Sequence, residues 1–150
     1  MIKISVQSKD FDMSTESHLV SAGRSDIGAI VSFTGLVRDF DDKSLKSMTL
    51  EHYPAMTKLE LERIADEAEK RWLLQGLTII HRYGELFPGD QIVLVIAASA
   101  HRDAAFQAAS YVMDFLKIRA PFWKKEETND THDWVEAKDS DEAATKNWTP

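Results

Sequence analysis

Two apolar segments of strand length, residues 77–83 and 91–99, constrain the fold more than any other feature of the chain. Both are interpreted as strands, and residues 92–98 form the longest apolar run of the chain, which has the length of a strand. The sequence between them contains Pro88 followed by Gly89, a pair that suits a turn in which the glycine has a positive φ. The two segments are therefore predicted to form a β-hairpin.

Other helix and strand patterns fill the rest of the 150-residue chain, with no internal repeat and no linker. One domain, residues 1–150, is therefore expected, and a domain of this length buries roughly 70% of the surface that its unfolded chain exposes. In chain order, the further predicted elements are a strand at 2–6, a helix at 14–22, strands at 28–38 and 46–53, helices at 57–72 and 104–117, a strand from 122, a returning strand at 134–138, and an acidic tail from about 139 that is left open as a flexible segment.

Three local signals make these predictions specific. Segments 28–38 and 46–53 flank a polar turn and are predicted to pair as a further hairpin. Thr57 and Glu60 have the spacing of a capping box, which places the start of the second helix at Thr57. Pro121 excludes helical geometry for the residue before it, so the third helix must end by that point.

The composition excludes several classes of function. The chain has no cysteine, which rules out disulfides, thiolate metal ligands and cysteine nucleophiles. Its net charge of −7, from 25 acidic and 18 basic residues, argues against a general nucleic-acid-binding protein. The first residues do not resemble a secretory signal, and no apolar run approaches the roughly 18 residues of a membrane span. A cytoplasmic protein is therefore expected.

Common catalytic motifs are also missing from the sequence. Two glycine pairs have the outer spacing of a phosphate-binding loop, but Ala29 and Asp90 follow them where lysine is needed. The five histidines are never three or four residues apart, so no zinc site is predicted. No serine is flanked by glycines as acyl transfer by a nucleophile elbow requires. Neither a metal nor a cofactor is expected.

The densest basic stretch is residues 117–125, KIRAPFWKK, and a second cationic pair, His101 and Arg102, precedes it. Met113 and Lys117 are four residues apart on the predicted third helix and should share one face. Lys117 falls in the last turn of that helix, where the helix dipole alone favours a lysine. His101 and Arg102 can likewise simply begin the helix.

Alternation along the strand that follows places Lys124 on one face together with Phe122 and Glu126. Lys124 and the helix-end Lys117 could therefore converge on one anion, with a carboxylate near enough to tune them. From the residues alone, an anion-binding pocket is predicted and nothing more specific.

Six blocks of the sequence, in unchanged order, fit the pattern of one known family. They are VSFTGLVRDF at 31–40, LEHYPAMT at 50–57, HRYGELFPGD at 81–90, SAHRDAAFQA at 99–108, MDFLKIRAPFWKKE at 113–126 and WVEAKDSD at 134–141. The chain resembles the large, catalytic subunit of molybdopterin synthase from about residue 11 to its end. The run APFWK at 120–124 is the most specific part of that resemblance.

The resemblance implies a fold and a reaction. The fold is α+β of the hammerhead type, with antiparallel sheet and packed helices, in a homodimer that carries one small ubiquitin-like subunit at each end. In this family the small subunit's Gly-Gly tail, activated as a thiocarboxylate, enters a pocket of the large subunit and gives sulfur to cyclic pyranopterin monophosphate. Two such transfers make the dithiolene of molybdopterin, in molybdenum cofactor biosynthesis.

Carried over position by position, the family's pocket residues fall on nine positions of this chain. The expected catalytic residues are Lys117 and Lys124. The expected substrate-binding residues are Arg38, His101, Arg102 and Lys138. The expected residues of the pocket and of the channel for the partner's tail are Phe33, Met113 and Glu126.

The roles follow from charge, because substrate and thiocarboxylate are both anions. Lys117 and Lys124 are expected to hold the thiocarboxylate, stabilise the oxyanion formed on hydrolysis and exchange protons, with His101 as an alternative proton shuttle. The family often has arginine where this chain has Lys138, which weakens the case for a bidentate contact there. Leu36 stands where some relatives carry lysine, so no role is expected for it.

Two alternatives to sulfur transfer stay open at this stage. The chain could be a non-catalytic protein whose basic pocket only captures the Gly-Gly carboxylate of a ubiquitin-like partner. It could instead be a hydrolase of a phosphorylated substrate that uses the two lysines.

Overall fold

A computed structural model describes residues 1–128, 132–135 and 139–148. Their elements are β1 (Ile2–Gln7), α1 (Met13–Ser21), β2 (Ala29–Leu36), β3 (Leu45–His52), α2 (Pro54–Arg71), β4 (Leu74–Arg82), β5 (Gly84–Leu86), β6 (Gln91–Ser99), α3 (Arg102–Arg119), β7 (Phe122–Thr128), β8 (His132–Val135) and α4 (Asp139–Thr145). The predicted α+β class is confirmed.

The first sheet has the strand order β1-β4-β6-β2 and is covered on both faces. One face packs Leu77 and Val95 against α2 and α3, and the other packs Ile80 and Leu94 against Val20 of α1. Burial on both faces explains why residues 92–98 of β6 form a continuous apolar run and why most of β4 is buried, including its polar residues Thr78 and His81. The predicted antiparallel pairing of these two strands is confirmed.

The connection between β4 and β6 is more than a turn. It contains the short strand β5, which joins the second sheet, and Gly89 then adopts the positive φ of +93° that the sequence predicted. The Gly89 N–H donates to the carbonyl of Val37, and the Val37 N–H donates to the carbonyl of Asp90, both at 2.8 Å. This turn therefore holds the segment that leaves β2.

The second sheet has the order β5-β3-β7-β8, and it corrects one prediction. Strands β2 and β3 do not form a hairpin, because β2 pairs with β6 in the first sheet and β3 pairs with β5 and β7 in the second. The physical reason is that β3 buries its own apolar residues, Met48 and Leu50, in a separate small core with Val37 and Leu86. The polar connection crosses from one sheet to the other.

The start of α2 corrects a second prediction. The helix begins at Pro54, with Tyr53 as its N-cap, so Thr57 lies within the first turn. Proline is favoured at this position because its fixed φ suits a helix and its missing N–H is not needed there. The Thr57 side chain is fully buried and its hydroxyl has no hydrogen-bond partner, so it forms no capping box.

Helix α3 connects the two sheets. It extends two residues beyond its predicted range at each end and stops at Ala120, as Pro121 requires. Strand β8 then returns antiparallel to β7, and α4 packs against α3, where the Trp148 indole N–H donates to Asp114. None of the described helices is both long and apolar enough to cross a membrane.

Candidate functional site

The two predicted catalytic lysines flank one short connection between α3 and β7. Lys117 is exposed in the last turn of α3, and Lys124 is half-buried as the third residue of β7. Between them the Phe122 N–H donates to the carbonyl of Ala120 at 2.8 Å, which turns the chain tightly around Pro121. The part of the molecule defined by Lys117, Phe122 and Lys124 is called the lysine end below.

The lysine end is attached to the first sheet through His81. The imidazole of His81 stacks on the Phe122 ring, with centroids 3.7 Å apart and planes at 17°. The pKa of His81 is lowered to about 4, mainly by burial and also by the nearby charges of Lys117 and His52, although the hydrogen bond to Arg82 acts to raise it. The last turn of α3, the end of β4 and the start of β7 therefore meet at one place.

Strand register places Phe33 and Arg38 toward the same end of the first sheet. Gly35 of β2 and His81 of β4 are both paired with Val93 of β6, so the three form a row across the sheet. The ring of Phe33, which is 42% exposed, lies over Gly35, because a Cβ there would be 3.5 Å from Phe33 Cε1. Arg38 is exposed and follows Val37, whose backbone is fixed by the Gly89 turn.

The two remaining pocket residues also belong to this end. Met113 precedes Lys117 by about one helical turn and packs, half-buried, against the main core. Glu126 is half-buried and alternation places it on the same face of β7 as Lys124. In register, Lys124 is opposite Leu50 and Glu126 is opposite Met48.

His101 and Arg102 are at the opposite end of α3. His101 is the N-cap residue, without a side-chain capping bond, and Arg102 is the first residue of the 18-residue helix. At 1.5 Å per residue, Arg102 and Lys117 are separated by about 22 Å along the helix axis. Both residues at this end are exposed. Within one chain, the predicted cations therefore form two separate groups, one at each end of α3. A single small substrate cannot contact both groups.

Lys138 lies outside the described residues. Within the described ranges, no cluster of histidine and carboxylate side chains is suited to a metal ion.

A pocket of about 270 Å³ lies elsewhere, lined by Glu51, His52, Tyr53, Trp123 and Trp134. Trp123 is on the face of β7 opposite to Lys124, since side chains alternate along a strand. This aromatic pocket is therefore not the one predicted from the cations.

Sequence reasoning missed the aromatic support of the lysine end. His81 carries the ring under Phe122, and His52 lies 5.6 Å from Phe122 and 4.7 Å from Tyr83 between ring centroids. One signal for His81 was present, because it continues the alternation of Leu77 and Ile79 onto the core face of β4. A histidine in such a position is held neutral by burial, and its spacing from the other histidines does not reveal this.

Comparison with known proteins gives one consistent result. Residues 6–119 match the family model described as MoaE protein. The molybdopterin synthase catalytic subunit of Mesorhizobium japonicum is 54% identical over 147 residues, covering 97% of this chain and 92% of that protein. A solved structure of a molybdopterin biosynthesis MoaE protein from Burkholderia ambifaria is similar with a TM-score of 0.85 and 46% identity, over 99% of this chain and 98% of that one. The structure of a molybdopterin synthase from Staphylococcus aureus has a TM-score of 0.79 and 29% identity, over 87% of this chain and 94% of that one.

Proposed function

The chain belongs to the MoaE protein family, and from this membership we propose that it is the catalytic subunit of a molybdopterin synthase. In the proposed reaction, a small ubiquitin-like subunit supplies sulfur from its C-terminal thiocarboxylate to cyclic pyranopterin monophosphate. The observation that carries the proposal is that Lys117 and Lys124 flank a single tight connection. Two cations on either side of one turn are suited to bringing one anion against another.

The proposed chemistry has two steps for each sulfur. The thiocarboxylate sulfur attacks a carbon of the pterin precursor and displaces an oxygen substituent of that carbon, which leaves as a phosphate oxygen or, after protonation, as water. The small subunit is then joined to the substrate through an acyl–sulfur bond. Water then cleaves that bond, so the sulfur stays on the substrate and the small subunit leaves as an ordinary carboxylate. Lys117 and Lys124 hold the thiocarboxylate, stabilise the oxyanion of the hydrolytic step and exchange protons.

Arg38 is proposed to bind the cyclic phosphate from the same end. Its guanidinium has the planar fork that suits two phosphate oxygens, and its backbone is fixed beside the Gly89 turn. Phe33 and Met113 are proposed as apolar walls of the channel for the Gly-Gly tail, with Glu126 beside Lys124. Among the described strands β2 pairs only with β6, which leaves its outer main-chain groups available to an extended tail.

His101 and Arg102 are proposed to act on the substrate held by a second copy of the chain. The length of α3 prevents His101 and Arg102 from reaching Lys117 of their own chain. In a two-fold dimer, His101 and Arg102 of one copy can instead reach the site that contains Lys117 of the other copy. The proposed assembly is a homodimer of this chain with one small subunit on each copy, a heterotetramer. Lys138 is proposed as a further substrate-binding cation, and the assembly is proposed to work in the cytoplasm.

The proposed function is tested by mixing the purified chain with thiocarboxylated small subunit and cyclic pyranopterin monophosphate. The expected result is a dithiolene pterin and a small subunit whose mass shows sulfur replaced by oxygen. Binding of the small subunit without transfer would identify a carboxylate-capturing protein instead. Phosphate release without any protein partner would identify a hydrolase.

A further inference from the structure

His81 makes two contacts that fix its ring at the lysine end. It is buried, with 5% of its surface exposed, and it stacks closely on Phe122. Its Nδ1 is 2.8 Å from the carbonyl oxygen of Arg82. A carbonyl only accepts hydrogen bonds, so Nδ1 carries the hydrogen and donates it. This bond sets the tautomer of the neutral ring and its orientation beneath Phe122.

Phe122 is held from two strands at once. His81 of β4 stacks on it, and His52 of β3, its register partner, lies 5.6 Å away between ring centroids. The stack therefore joins the first sheet to the strand that carries Lys124. Ala120 and Pro121 are the only residues between Phe122 and the end of α3.

A movement of Phe122 would displace both lysines relative to each other. Lys124 is the next residue on the same face of β7, about 7 Å along the strand, and Lys117 is in the helical turn just before the connection. Reacting groups lose rate steeply with misplacement, on the order of 100-fold for about 1 Å. The ring beneath Phe122 thus has influence over the chemistry without having to touch the substrate.

We propose that His81 is a positioning residue for sulfur transfer, which acts through its stack on Phe122 to set the separation of Lys117 and Lys124. The proposal rests on the proposed function, since it assumes that the two lysines act on one thiocarboxylate. It assigns the effect to the stack and not to the hydrogen bond with Arg82.

Three variants separate these two contacts. His81→Asn keeps a donor for the Arg82 carbonyl and removes the stack, because an asparagine amide nitrogen can replace Nδ1 but not the ring. His81→Phe keeps a ring for the stack and removes the donor. Phe122→Leu removes the same stack from the other side and leaves His81 unchanged. Ile80→Ala is the matched control, because Ile80 is equally buried on the same strand and faces the opposite core.

Three quantities are measured for each variant below its unfolding temperature. They are the rate constant for sulfur transfer, the KM for the pterin precursor and the Kd for the small subunit. His81→Asn and Phe122→Leu are expected to lower the rate constant at least tenfold while KM and Kd stay within about threefold. A double variant that combines His81→Asn with Phe122→Leu is expected to be no slower than the slower of the two single variants. The reason is that both substitutions remove the same stacking interaction. His81→Phe is expected to restore most of the rate, and Ile80→Ala to lower only the unfolding temperature.

A merely structural role gives a different pattern, in which the rate follows the unfolding temperature and Ile80→Ala is as slow as His81→Asn. That pattern, or a wild-type rate in His81→Asn and Phe122→Leu, overturns the positioning role and leaves the proposed function intact. If His81→Phe does not fold, the rate constants of His81→Asn, Phe122→Leu and their double variant test the positioning role without it. A wild-type chain that transfers no sulfur overturns the proposed function, and the positioning role with it.

Discussion

Arg102 and Lys117 occupy opposite ends of helix α3, about 22 Å apart along its axis. Both were predicted to act on one substrate, and the rigid helix between them excludes this within a single chain. Strand register and helical spacing place Arg38, Phe33, Met113 and Glu126 toward the lysine end, whereas His101 lies beside Arg102. The proposed site is therefore complete only where two copies meet.

Lys117→Ala is expected to abolish or nearly abolish dithiolene formation and to leave the fold and the binding of the small subunit largely intact. Lys117 is exposed in a last helical turn, where a lysine contributes about 1 kcal/mol or less to stability. The measurements are single-turnover sulfur transfer, thermal unfolding and calorimetric affinity. Lys70→Ala, in the last turn of α2, is the matched control. Turnover near the wild-type rate would remove Lys117 from the proposed mechanism.

Arg38→Ala is expected to raise the KM for the pterin precursor by roughly 10- to 100-fold, with a small effect on the turnover number. Losing a hydrogen bond to a charged group typically costs about 1.5–3 kcal/mol, and a contact made equally in ground and transition states appears in KM. Steady-state kinetics over a range of precursor concentrations measures both constants. Arg63→Ala, an exposed arginine of α2 paired with Glu60, is the control. A change confined to the turnover number would contradict phosphate binding by Arg38.

Lys124→Arg is expected to keep the affinity for the small subunit within a few fold and to lose at least about tenfold in sulfur transfer, a barrier change of about 1.4 kcal/mol. Arginine retains the positive charge but does not release a proton near neutral pH. Lys125→Arg is the matched control, because Lys125 is the next residue and points to the other face of β7. Full-rate transfer by Lys124→Arg would make Lys124 an electrostatic anchor, and the acid or base would then be Lys117 or His101.

The stability of the folded chain is expected to fall with pH because of His81. Burial lowers the pKa of His81 to about 4, whereas an unfolded histidine titrates near 6.5. Between these values the unfolded chain binds a proton that the folded chain does not, so the contribution is complete above pH 6.5 and is lost on going down to pH 4. Its size is about 3 kcal/mol.

Urea unfolding at pH 7 and pH 4, at one protein concentration, measures this dependence. The comparison with His81→Phe isolates the histidine, because the carboxylates whose pKa values are also lowered, such as Asp10 and Glu67, are present in both proteins. Between pH 7 and pH 4, His81→Phe is expected to lose about 3 kcal/mol less in its free energy of unfolding than the wild-type chain loses. Equal losses in the two proteins would mean that His81 is protonated in the fold as readily as in the unfolded chain.

Local patterns in the sequence predicted most of the elements correctly. Residues 92–98 of β6 form an apolar run of strand length, and Pro121 stops a helix whatever surrounds it, so neither prediction depends on distant contacts. One of the two wrong predictions, the start of α2, comes from competition between local signals. Thr57 and Glu60 have capping-box spacing, but Pro54 three residues earlier starts the helix first.

Strand partners and site geometry depended on contacts that the sequence does not encode locally. The segments 28–38 and 46–53 look like a hairpin, yet each finds its partner in a different sheet. His101 and Lys117 could be assigned to one pocket by resemblance, but only the length and direction of α3 show that they lie apart. They are proposed to share one site only when they come from two different chains, and this arrangement is not visible in the sequence pattern of one chain.

The most direct test of the two-copy site combines two defective chains. Lys117→Ala and Arg102→Ala chains carry different affinity tags, and tandem purification isolates the dimers that contain one of each. Sulfur transfer with the thiocarboxylated small subunit is measured at a precursor concentration well below the wild-type KM, where both parent dimers are slow. In a two-fold dimer one of the two sites is then intact, so the mixed dimer is expected to recover about half of the wild-type rate. Mixed dimers as slow as their parents would contradict a site shared between two copies of the chain.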